Sequence, residues 1–161
     1  QGDSEWFVNG DVQTKAYYLN LRYFAEDWTI TSEITRLQTK ANDTLFPGLR
    51  SNVAQEGGYI EGQYYFSSDL RGVLRLDIFD RNKDDRSGSE LPATFGIPSY
   101  FGYMDQATIG LSWDFAPNWR LQGEYHRIKG TGRLAPILVP DLINNKNEYW
   151  GVWAVQAMYW F

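Results

Sequence analysis

His126 is the single imidazole of this 161-residue chain, and there is no cysteine. A thiol nucleophile, a thiolate metal site and a disulfide framework are all excluded. Glu124 stands two residues before His126, on the same side of any extended segment. A hydrolytic site would also need a hydroxyl nucleophile within reach of the ring. The residue two positions after His126 is Ile128. Without that hydroxyl, His126 reads as a polar lining residue beside Glu124. No enzyme activity, cofactor or metal is expected.

Two other stretches could carry chemistry. Asp80-Arg81-Asn82-Lys83-Asp84-Asp85-Arg86-Ser87-Gly88 spaces acidic and amide groups in the manner of a calcium loop. An EF-hand loop needs Gly at its sixth position and Glu at its twelfth, and this segment places Asp85 and Leu91 there. The interleaved Arg and Lys dilute it further, so a solvated loop is expected. Gly130-Thr131-Gly132 lacks the Lys-Ser/Thr and following helix of a phosphate loop. The net charge of −5 disfavours nucleic acid as a partner.

The remaining charges are not clustered in sequence. Arg22, Glu33, Glu61, Arg71, Arg75, Asp77, Arg120, Glu124 and His126 each fall on the polar side of an alternating segment. Those segments are strands by their period of two. From about Thr14 to Phe24, Tyr17, Leu19, Leu21 and Tyr23 oppose Tyr18, Asn20 and Arg22. Trp28 to about Gln38 sets Trp28, Ile30 and Ile34 against Thr29, Thr31, Glu33 and Thr35. Tyr59 to Phe66, Leu70 to Arg81, Gln106 to Phe115 and Trp119 to about Lys129 repeat the pattern, and Tyr149 to Phe161 closes it. A Phe recurs at roughly 45-residue intervals, at Phe24, Phe66, Phe115 and Phe161. A short polar turn follows each of the first three.

The connections at the other strand ends are long, about Thr39 to Gln55, Asn82 to Tyr103 and Gly130 to Asn147, and hold five of the six prolines. Gly57-Gly58 is placed where the chain enters its strand. The run from Leu91 to Met104 is the most unusual loop, with an inward constriction or a contact to a neighbouring protomer both open. Aromatics make up 17% of the chain, and they gather at the short-turn ends. Tyr23, Trp28, Phe66, Trp113, Phe115, Trp119, Tyr159 and Phe161 form this set, with Tyr125 and Tyr149 candidates for the opposite rim. No segment approaches the ~18 apolar residues of a membrane helix, and the mean hydropathy is −0.48. A barrel strand needs only alternation, so its mean hydropathy stays low.

Short turns at one end, long loops at the other and aromatic belts are the signature of a transmembrane antiparallel up-and-down β-barrel. A soluble sandwich also alternates, but its turns do not segregate by length and its alternate face is not so uniformly polar. The ending Val155-Gln156-Ala157-Met158-Tyr159-Trp160-Phe161, with its terminal Phe, is similar to the closing strand of the bacterial outer-membrane porin superfamily. The resemblance covers nearly all of Thr14 to Phe161, read as a single domain. It implies the outer membrane of a Gram-negative bacterium, contact with its lipid and lipopolysaccharide, recognition of the last strand by the barrel-assembly machinery, and a possible homo-oligomer. It also implies a porin-like channel for passive diffusion of small hydrophilic solutes. In that reading the nine polar-side residues line the lumen, and Leu19, Leu21, Ile30, Leu74, Leu76, Ile109, Leu111, Leu121, Val155 and Ala157 face lipid.

Seven strands are counted, yet bacterial barrels have an even number. Glu5-Trp6-Phe7-Val8-Asn9 would make an eighth, giving a small closed barrel. Its shortness favours the other reading, in which the chain is the C-terminal part of a larger barrel. An eight-stranded interior is filled by side chains, whereas sixteen or more strands leave a channel. A non-conducting structural or binding barrel that presents its outer loops is therefore the alternative function. A lipid hydrolase is remote: the outer-membrane lipid A deacylases place their Ser two residues after the His, where this chain has Ile128.

Overall fold

The structure, a computed structural model, describes residues 10–42, 50–134 and 147–161. Seven strands form one sheet in chain order. They are β1 (Asp11–Phe24), β2 (Trp28–Asn42), β3 (Arg50–Tyr65), β4 (Leu70–Asp80), β5 (Tyr103–Ala116), β6 (Trp119–Gly130) and β7 (Tyr149–Tyr159). Every neighbouring pair is antiparallel, so the sheet runs up and down without a crossover. β1 and β7 lie at its two edges and do not pair with each other. The proposed strand Glu5 to Asn9 lies outside the described residues.

Alternation and register together sort the side chains. One row across the sheet reads Arg22, Thr31, Glu61, Arg75, Thr108, His126, Val152. The row one residue over reads Tyr23, Ile30, Gly62, Leu74, Ile109, Tyr125, Trp153. Because side chains alternate along each strand, the two rows project from opposite faces. All ten residues expected on the apolar side fall on the second face by this register. A one-residue slip anywhere would exchange the faces.

β1, β2, β3, β5 and β6 are longer than their alternation alone indicates and extend at the long-loop end, while β4 stops at Asp80 and β7 at Tyr159. β3 begins at Arg50, so Gly57-Gly58 lies inside a strand and not at its entrance. The pair was misplaced because glycines interrupt the apolar signal. Gly58 is needed there for space, since a Cβ would stand 2.7 Å from the Glu33 carbonyl oxygen on β2. The short turns occupy residues 25–27, 66–69 and 117–118. Asn118 takes the left-handed conformation (φ 66°) that the tight turn requires, and a one-residue bulge precedes it between Trp113 and Ala116.

Leu91 to Met104 is partly ordered. A short helix α1 (Glu90–Phe95) ends at Gly96 in the left-handed conformation, and a 3-10 turn spans Ser99–Phe101. This segment packs at the long-loop rim. Phe101 is buried, the Tyr100 carbonyl accepts the Thr131 N–H, and the Gly102 carbonyl accepts the Arg81 N–H. Pro92 and Pro98 break periodicity, which is why sequence alone showed only a loop.

Candidate functional site

The polar face carries the candidate site, and on the inner strands it is the more enclosed face. Thr29, Asp77 and Thr108 on this face are each 4% exposed, while Leu74 and Ile109 on the apolar face are 60% and 62% exposed. The nine sequence-predicted residues all project from the polar side by register. They fall into layers along the strands. Arg22, Arg71 and Arg120 lie within two residues of a short-turn strand end. Glu33, Glu61, Arg75 and Glu124 lie four or five residues in, and Asp77 and His126 lie seven in.

Arg75 organises the middle. Its Nε and Nη2 donate to the two Asp77 oxygens at 2.9 and 2.8 Å, a bidentate fork. Its Nη1 reaches Glu61 at 3.4 Å, and the guanidinium lies over the Tyr59 ring at 3.7 Å. At the short-turn end Arg120 pairs with Asp114, while Arg22 lies over Phe24 at 4.7 Å. Arg71 lines a polar hollow of about 170 Å³ with Glu61, Gln122 and Glu124.

The Gln106 amide donates to His126 Nδ1 at 3.2 Å, and Thr108 Oγ1 lies 2.9 Å from the same atom. An amide nitrogen can only donate, so Nδ1 is the acceptor and Nε2 carries the proton. Nε2 lies 3.3 Å from Glu124 Oε2. Hydroxyl, imidazole and carboxylate thus stand in line, the layout of a relay triad. Thr108 is nevertheless 4% exposed within the ladder, where strand pairing takes the backbone N–H groups that would serve as oxyanion donors. These contacts hold the ring in place.

Glu33 differs from the other carboxylates. It accepts from Asn20 Nδ2 at 3.2 Å and Thr35 Oγ1 at 3.3 Å, and has no cation partner among the described residues. It lines a cleft of about 360 Å³ with Tyr18, Leu37, Tyr59, Phe79 and Arg133. Arg133 was not anticipated. It comes from the loop after β6, where no period marks it, and reaches back to Asp77 at 3.8 Å and over the Phe79 ring at 5.2 Å. Tyr59 had a signal that was overlooked, since it lies two residues before Glu61 on the same face.

Of the expected interface aromatics, Trp113, Phe115, Trp119, Tyr159 and Phe161 form a run of ring contacts along the short-turn rim. Successive centroids lie 5.7, 6.2, 4.9 and 6.5 Å apart. Tyr23 packs on Trp28 at 5.3 Å, and Phe66 meets Tyr64 at 5.1 Å. Tyr149 lies at the long-loop end beside Lys129, but Tyr125 does not belong to that rim. It sits six residues into β6 and packs on Trp153 at 4.6 Å.

The acidic loop after β4 uses its carboxylates internally. Asp80 pairs with Arg86 and Asp84 with Lys83. Asp85 accepts the Glu90 and Ser89 N–H groups and the Ser89 hydroxyl. The Glu90 N–H, with Ser89 adding to it, holds the Asp85 carboxyl below the usual carboxylate range. Among the described residues no group of three or more His, Cys, Asp or Glu side chains gathers as for a metal. No protein-family model, curated protein or solved structure matches the chain.

Proposed function

We propose that the sheet spans a Gram-negative outer membrane as all or part of a β-barrel, and that its polar face lines a passage for small hydrophilic solutes. One observation carries the reading: the face exposed to the surroundings is the apolar one. Leu19, Leu21, Leu74, Ile109, Val155 and Trp153 are between 60% and 77% exposed on it. In water that arrangement opposes the hydrophobic effect, whereas hydrocarbon around the sheet removes the penalty. The aromatic run at the short-turn rim fits a headgroup boundary, and its position would put the short turns and the C-terminus on the periplasmic side.

The polar face carries guanidinium and carboxylate groups of both signs, which suits passage of solutes without a fixed charge requirement. The second reading, a non-conducting barrel, draws on the pairing of Arg75 with Asp77 and Glu61 and of Arg120 with Asp114, since such networks fill small interiors. Planar-bilayer recording of the full chain separates the two. Stepwise ohmic conductance is expected for the passage. A protein that inserts into the bilayer yet gives no conductance would overturn that role and leave the structural barrel.

A further inference from the structure

The cleft beside Glu33 contains one anion and one cation that are weakly engaged, and they face each other across an aromatic floor. Glu33 has only neutral donors as partners among the described residues. Among the described residues Arg133 has only long contacts, 3.8 Å to Asp77, 3.4 Å to the Ile78 carbonyl and 5.2 Å to the Phe79 ring, and the Arg75 fork already occupies Asp77. Its side chain remains 40% exposed. Glu33, Tyr59 and Asp77 are direct neighbours in one row, so Glu33 stands two strand spacings from the strand on which Arg133 rests. That separation is about 10 Å between backbones. An α-ammonium and an α-carboxylate, each with one charge-assisted hydrogen bond, fit such a gap. Leu37, Tyr59 and Phe79 supply apolar surface between the charges. The volume, about 360 Å³, lies within the range of small-molecule sites.

We infer that this cleft is a subsite for zwitterionic solutes of amino-acid size, with Glu33 taking the ammonium and Arg133 the carboxylate. The inference rests on the proposed passage, because a solute reaches this face only through it. The charged side chains facing the cleft from β2, β4 and the loop after β6 are Glu33, Arg75, Asp77 and Arg133, while Glu56 on β3 borders it but by register projects from the other face, where it pairs with Arg36 and Arg86. A purely anionic solute would meet Glu33, and a purely cationic one would meet both guanidinium groups. Gly57 borders the Arg133 side of the cleft, where a Cβ would stand 3.3 Å from the Ile78 carbonyl oxygen and the Phe79 ring.

The test is calorimetric titration of the full refolded chain with leucine, N-acetylleucine and leucinamide. Leucine is expected to bind saturably, and each analogue, lacking one charge, about tenfold or more weaker. Glu33→Gln should weaken leucine by a similar factor and abolish its advantage over N-acetylleucine. Arg133→Gln should do the same relative to leucinamide. Absence of saturable leucine binding, or analogues binding as tightly as leucine, overturns the subsite, as does glucose binding where leucine does not. Bilayer recording of the same preparation distinguishes the failures. A conducting chain without leucine binding sinks the subsite alone, and a non-conducting one sinks the passage beneath it.

Discussion

The two faces of this sheet are built from the same strands by the same alternation, yet they meet opposite surroundings. Leu74 and Ile109 are 60% and 62% exposed, while Asp77 and Thr108, on the same two strands, are 4% exposed. A water-soluble sheet sorts these residues the other way. Hydrophobic pattern therefore specifies which residues share a face, but not which face turns outward. Here the inner strands enclose the side chains that can pair with one another. Satisfied polar groups tolerate enclosure, whereas Leu and Val do not require it when the outside is apolar.

The strongest way to break this contrast is to place the same charge on each face. Leu111 on β5 and Gln156 on the edge strand β7 both have exposed side chains, on opposite faces. Leu111→Arg should lose about 2–4 kcal/mol of folding free energy in lipid vesicles. Gln156→Arg should cost far less, because its head stays among polar groups. Denaturant titration of both variants in vesicles reads the difference, and equal costs would mean that the apolar face does not meet hydrocarbon.

A smaller effect is expected inside the polar face. Removing the Arg75 guanidinium leaves Asp77, 4% exposed, with only the longer Arg133 contact among the described residues. Arg75→Leu should destabilise by about 1–3 kcal/mol through that uncompensated carboxylate. Arg75→Leu with Asp77→Leu should recover most of the loss. If the double variant is no better than the single one, the pair contributes by packing alone.

Sequence resolved the faces well and the loop end poorly, for a physical reason. Period two survives wherever one face is uniformly apolar, so Leu19 to Tyr23 and Leu70 to Ile78 were plain. It fades where β2 and β3 extend beyond the apolar band, through Gln38 to Asn42 and Arg50 to Gln55, where both faces are polar. The charged lining was legible because each residue's face follows from parity. What each residue contacts was not, since Arg133 reaches β4 from a loop 55 residues further along the chain than Ile78. No local pattern encodes such a contact.

The two rims give a third contrast. The short-turn rim is closed by ring contacts, and Trp119 touches both Phe115 and Tyr159 there. Trp119→Ala should cost about 1–2 kcal/mol from two lost aromatic pairs, beyond its lost burial. A ring deleted from the isolated Tyr125–Trp153 pair should cost about half that excess. Vesicle refolding of the two variants compares them directly.

At the long-loop rim the start of α1 is held instead by hydrogen bonds to one carboxylate, and pH is the lever that reaches it. Asp85 accepts two backbone N–H groups and one hydroxyl at the start of α1. Its folded pKa is lower than its unfolded value, with the Glu90 N–H as the leading cause. The contribution is therefore fully present above the unfolded carboxylate value, about 3.9, and is lost as pH falls through the lower folded value. Lowering pH from 7 to 5 should leave the Ser89 and Glu90 amide signals unchanged. Only in the window below about 3.9 should their chemical shifts move toward loop values. Asp85→Asn should show those altered shifts at neutral pH, because a neutral amide is the weaker acceptor, while the short-turn rim stays unchanged in that variant. Movement of the amides already at pH 5 would mean that the carboxyl is not held low by these bonds, and that the two rims do not differ in the way their contacts indicate.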